Sequence, residues 1–203
     1  KDGLLKPIHP SILYNTGEAY FRMGEYNKSI SIFDEFLKHH NYLTESSHAR
    51  LRLALCYDLL EKDYKKVMAL YRNSIDRATH PKISYEAKLR LVGLELARKK
   101  TVSEQEKELL EFLNQDAREE KSLDKDLKSL LWLVRLRVFI NFNEYKKALT
   151  YLTSIPLNTF TPSKRRTFEG EGAEVIYGLI KQNYEMTNYS EVVKVWEIYK
   201  DKY

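Results

Sequence analysis

Arg52 and Arg90 each sit at the centre of a Leu-Arg-Leu tripeptide, 38 residues apart and preceded by Ala49 and Ala87. A guanidinium returned to the same place in a repeated element builds a row of planar forks, the geometry that receives carboxylates. Arg137 extends the series. The alternative is that these arginines solvate an exposed helix face and pair with nearby glutamates. Other chemistry has little to work with. No nucleophile elbow, phosphate loop or His-Glu-x-x-His motif occurs, and the acidic residues fall on polar helix faces, so neither catalytic residues nor a cofactor are expected. His39, His40 and His48 cluster near one connection, but neighbours on a helix diverge in direction, so no metal site is expected. His9 and His80 stand beside prolines, as in solvent-exposed turns. Cys56 is the only cysteine, which rules out an intramolecular disulfide and a thiolate zinc cluster. Its apolar surroundings predict a buried small residue.

The composition of this 203-residue chain suits a single thin array with much surface: 43% hydrophobic but 31% charged, with only 7 glycines and 5 prolines. Its 15 tyrosines can fill the space between layers or anchor partners. The net charge is +5, with both signs interleaved and no basic run longer than Lys164-Arg165-Arg166, so a nucleic-acid-binding tail is not indicated. Non-specific phosphate binding would fall to that run and Lys99-Lys100. No apolar stretch reaches the 18 residues of a membrane-spanning helix. The chain opens on Lys1-Asp2-Gly3, as in a mature form or an excised fragment.

The arginines must be positioned by helices, and these return at near-fixed spacing. Leu13, Leu51, Leu89 and Trp132 begin four similar stretches, and Gly17, Leu55, Gly93 and Leu136 follow four positions later in each. The first two intervals are 38 residues and the third is 43. A period in this range predicts an all-α solenoid of helical hairpins, here about five antiparallel helix pairs in one domain. The units span about 10–43, 47–78, 84–114, 124–156 and 173–203, with 157–172 a loop, or the approach to a long helix, that could hinge the last hairpin. Ser11 is the expected N-cap of the first helix, Gly24-Glu25 its turn, and Tyr26 the start of the return helix. In the second unit Asp63-Tyr64 replaces the glycine turn, and Asp58 stands where an aromatic is expected, so Tyr57 is expected to fill that space. The third unit restarts at Ser103 with a capping box to Glu106. Pro156 closes the fourth.

Leu13, Gly17, Tyr20, Gly24, Tyr26, Ser29 and Phe33 resemble the tetratricopeptide repeat in type and register. Trp132, Leu136, Phe139, Tyr145, Ala148 and Leu152 resemble it in the fourth unit. The resemblance implies a right-handed superhelix whose first helices line a concave groove, facing it at positions one and five residues after each bulky residue. These are Tyr14, Arg52, Arg90 and Leu133, then Glu18, Cys56, Leu94 and Arg137. Tyr14 and Phe21 would offer a hydrophobic pocket, or else pack on Leu4-Leu5. The carboxylate clamp of chaperone-binding members is absent, since Tyr14, Glu18, Leu53, Ala87 and Leu91 replace its polar residues.

The resemblance thus implies a non-catalytic scaffold that binds another protein, or an acidic segment of one, at Tyr14, Glu18, Phe21, Arg52, Arg90 and Arg137. No small-molecule substrate is implied. Some bacterial envelope members of the family, among them outer-membrane assembly lipoproteins and periplasmic cell-division coordinators, share the slightly long, aromatic-rich hairpins. That similarity suggests a larger bacterial assembly. The other readings are a structural or homo-oligomerisation module and a non-specific nucleic-acid binder. Trp196, Tyr199 and Tyr203 fall on one helical stripe at an end without a polar cap, and so are the candidates for self-association.

Overall fold

The computed structural model of the protein describes residues 8–96 and 123–202. Among the described residues every element is helical. The chain divides into two compact units, Lys1–Leu94 and Glu95–Tyr203.

In the first unit α1 (Pro10–Arg22), α2 (Tyr26–His40), α3 (Glu45–Leu59), α4 (Tyr64–Asp76) and α5 (Pro81–Leu96) follow one another. Each of α1 to α3 packs on the next helix, and α1 also touches α3. Sequence neighbours thus form hairpins and first helices meet across layers, as a helical-repeat array requires. The α1–α2 crossing shows why the residue types matter. Gly17 lies so close to the buried Phe33 ring that a Cβ would fall 2.7 Å from it. Ser29, fully buried, donates its hydroxyl to the Gly17 carbonyl at 3.0 Å, and the Cys56 thiol from α3 reaches the same hydroxyl at 3.4 Å. Three helices therefore meet around one small polar side chain. Leu13, Phe33, Phe36, Ala49 and Leu53 form the core around this crossing. Each large side chain contributes about 1.5–3 kcal/mol by leaving water.

In the second unit α6 (Lys125–Asn141), α7 (Tyr145–Ser154), a 3-10 turn (Leu157–Thr159), α8 (Pro162–Glu185) and α9 (Tyr189–Tyr199) repeat the scheme. Here α6 packs on α7, α7 on α8 and α8 on α9, and α6 also touches α8. Ala148 is the buried small residue of α7, and Gly178 of α8 sits directly against the Tyr145 ring.

Four hairpins turn the same way. Gly24, Glu61, Asn143 and Thr187 adopt positive φ (77°, 50°, 57° and 57°). Each donates its N–H three residues back, and the following residue donates five back, as in Glu25 to Tyr20 and Asn188 to Asn183. This Schellman closure satisfies the last carbonyls of each first helix. A tyrosine opens each of these four return helices: Tyr26, Tyr64, Tyr145 and Tyr189.

Three expectations change. Residues 162–172, read as loop or as the approach to a long helix, form the first turns of α8. Pro162 there takes the first helical position, where its missing N–H is harmless, and Gly172 is buried in the helix interior. The hinge proposed for 157–172 is thereby reduced to the short segment before Pro162. The cap of α1 is His9, whose Nδ1 accepts from the Ser11 N–H at 3.3 Å; Ser11 is already helical. Asp58 is no defect in the second hairpin, because it accepts the hydroxyl of the fully buried Tyr71 at 2.7 Å. Tyr57 packs beside the first core, with its hydroxyl held by Lys66 at 2.9 Å. The second helix expected in the third unit, from Ser103 on, lies outside the described residues.

Candidate functional site

Glu18 is the centre of the best-formed polar cluster in the first unit. It sits on α1 one turn after Tyr14, and its carboxylate takes the Arg52 Nε–H of α3 at 2.6 Å. Arg22 approaches it at 3.9 Å and His48 Nδ1 at 3.7 Å. The Arg52 guanidinium also lies 4.5 Å above the Phe21 ring. Arg52 is therefore gripped from two sides, by a carboxylate and by an aromatic face, and most of its rotamer freedom is already lost. Tyr14 packs against Phe33 and Phe36 at 6.1 and 5.8 Å, and its hydroxyl meets His48 Nδ1. This aromatic support comes from the hairpin's own core.

Electrostatics set the protonation of the pair. Burial first, and then the Glu18 charge, pushes the Tyr14 phenol up to about 12. Burial and the Arg52 charge hold His48 below its ordinary value, against the opposing pull of Glu18. A protonated phenol beside a neutral imidazole assigns the Tyr14 hydroxyl as donor and His48 Nδ1 as acceptor.

His48 entered the sequence reading only among three histidines set aside as metal ligands, not as a groove residue. Tyr14 meets His48 and Glu18 meets Arg52 at a separation of 34 residues, whereas aligning the leucines gives 38. The hairpins themselves repeat at the leucine spacing, Tyr26 to Tyr64, so across the layer side chains meet about one helical turn off their equivalents, and Arg52 lies beside Glu18. Cys56 does not face a groove: it is fully buried, as its apolar surroundings predict, and burial pushes its thiol up.

The other arginines are also paired. Both Nε and Nη2 of Arg90 donate to Glu86, one turn earlier on α5, at 3.0 Å. In the second unit Arg137 on α6 binds Glu171 on α8 at 2.7 Å, again 34 residues away. Each arginine of the expected strip is thus held by a glutamate in its own unit.

At the end of the second unit the edge candidates part company. Trp196 is 54% exposed, and Tyr189 and Val193 on the same stripe of α9 and Tyr177 and Tyr184 on α8 are exposed too. Tyr199 instead packs against the unit's core, and Tyr203 lies outside the described residues. Tyr184 and Tyr189 join the two stripes edge to face at 5.6 Å.

Among the described residues no group of three or more His, Cys, Asp or Glu could hold a metal ion, and no helix is long and apolar enough to cross a membrane. Hairpins closed alike, crossing on small residues and joined through their first helices, define a helical-repeat protein. Residues 12–40 match the tetratricopeptide repeat family, whose members are generally interaction modules. No curated protein and no solved structure matches the chain.

Proposed function

We propose that the chain is a non-catalytic scaffold that binds a segment of another protein on the face shared by α1 and α3, within a larger assembly. The observation that carries this reading is Arg52. Its Nε is committed to Glu18 and its flat face to Phe21, which leaves its two terminal nitrogens for an acceptor on a partner. A pre-positioned guanidinium beside aromatic rings is the composition of a binding hot spot, and immobilising it beforehand lowers the entropy lost on binding. The pairing of Arg52 with Glu18 makes the face locally balanced rather than strongly basic. It favours a partner segment that offers one well-placed carboxylate or carbonyl over a long acidic tail.

The test places a photo-crosslinking residue at Arg22, whose side chain is 80% exposed beside Glu18, and another at the exposed Glu35 on α2. In cells of the native host the Arg22 position should trap a defined protein and the Glu35 position should not. Arg52→Gln should weaken that capture about tenfold, the loss of one charged hydrogen bond. Equal trapping at both positions would sink the proposal.

A second reading is supported by the apolar face of α8 and α9, where Tyr177, Tyr184, Tyr189, Val193 and Trp196 are all exposed. Exposed aromatics this close together mark contact surfaces, and here the contact would be self-association.

A further inference from the structure

Arg50 and Arg77 stand apart from the three arginines above. Both line a cavity of about 210 Å³ between α2, α3 and α4. Among the described residues no carboxylate pairs with either. Arg50 spends its hydrogen bonds on neutral groups, the Ser46 hydroxyl at 2.9 Å and the Asn41 carbonyl at 3.3 Å. Arg77 follows the last residue of α4 and is exposed at the rim. The two cations feel each other: burial, and then the Arg77 charge, lowers the Arg50 guanidinium's affinity for its proton. The cavity also has an apolar side formed by Leu37, Leu53 and Leu70, while Asn73 contributes an amide to the rim.

We propose that this cavity binds an acidic side chain of a partner peptide together with an adjacent aliphatic residue. Two guanidiniums without a counter-ion supply the charge that a carboxylate completes, and removing their mutual repulsion adds to the gain. The leucines explain why the ligand is a peptide rather than a free inorganic anion, since an ion leaves an apolar wall bare. The Asn73 amide offers both a donor and an acceptor to a peptide backbone. The site is independent of the α1–α3 face, because Arg50 and Arg52 are two residues apart on one helix and point away from each other.

The test follows the amide and arginine side-chain NMR signals of the full chain during titration with N-acetyl-leucyl-glutamic acid amide. N-acetyl-leucyl-glutamine amide and inorganic phosphate serve as comparisons. The expected result is saturable shifts at the Arg50 Nε–H and the Asn73 side-chain amide with the acidic peptide. Its affinity should exceed that of the neutral peptide at least tenfold, and Arg77→Gln should lower it by about the same factor. Arg77 is the residue to change because Arg50 also holds the end of α2. Equal binding of the neutral peptide, binding of phosphate alone, unchanged affinity in Arg77→Gln, or no shift at these groups would each overturn the proposal.

Discussion

Tyr14 and His48 make the α1–α3 face sensitive to pH as well as to mutation. His48 is held neutral in the folded chain, with its folded pKa below the ordinary 6.5. The unfolded chain therefore takes up the proton first, so the stability this site contributes is fully present above about pH 6.5 and is lost as pH falls through the lower folded value. The charged groups facing the imidazole are Arg52, Glu18, Glu86 and Arg22; the carboxylates temper the loss without reversing its sign. Denaturant melts at several pH values should show stability declining below pH 6.5, and His48→Gln should remove that part of the slope. The site was half legible from sequence. Glu18, Phe21 and Arg52 stand at positions where the family faces its groove, and the residue types there suggested binding. His48 and the Glu18–Arg52 pair could not be read from the leucine alignment, because the alignment fixes equivalent positions and not which side chains meet across a layer. Side chains across the layer meet one turn before their aligned partners.

The helices themselves were the most legible part, because each described return helix opens on a tyrosine and the first helices repeat their bulky residues at near-fixed spacing. Residues 157–172 left loop and helix open in sequence for a reason that lies in the element. Pro162 and Gly172 look like breakers in sequence, yet one fits a helix's first turn and the other is buried within it. The turns explain another irregularity. All four need a left-handed residue, but only Gly24 is a glycine. A β-branched side chain is strained there, at about 1–2 kcal/mol for an L-residue. Thr187→Gly should therefore stabilise the second unit by about 0.5–1 kcal/mol after the extra chain entropy of glycine, and raise Tm by about 1–4 °C. Gly24→Ala should destabilise the first hairpin by about 1 kcal/mol. Gly178→Ala tests packing instead of dihedral strain. Its methyl would overlap the Tyr145 ring, and overpacking at such a point costs about 1–3 kcal/mol. Adding Tyr145→Leu should recover part of that loss, an outcome that separates ring contact from backbone effects in calorimetric melts.

At the scale of the molecule the sequence period pointed to layered hairpins, and the layering follows from first helices that touch across hairpins, α1 to α3 and α6 to α8. The division at residues 94 and 95 was not legible, since it depends on which helices share contacts and α5 carries no break in its composition there. What the molecule leaves uncovered gives the last prediction. The exposed stripes on α8 and α9 hold large apolar side chains close together, the composition of a contact surface. The chain should therefore self-associate weakly as its concentration rises, visible as a growing weight-average mass in sedimentation equilibrium. Val193→Glu combined with Trp196→Glu should abolish it. Both residues are exposed, so the double variant should keep its helical content, and the outcome reports on the surface rather than on folding. Crosslinking from Arg22 then separates the two readings. If the double variant is monomeric and still trapped at Arg22, the α1–α3 face binds the partner and the C-terminal face binds only itself. If trapping is lost with self-association, the partner is recruited by the assembled form, and Arg52 acts only once two copies have met.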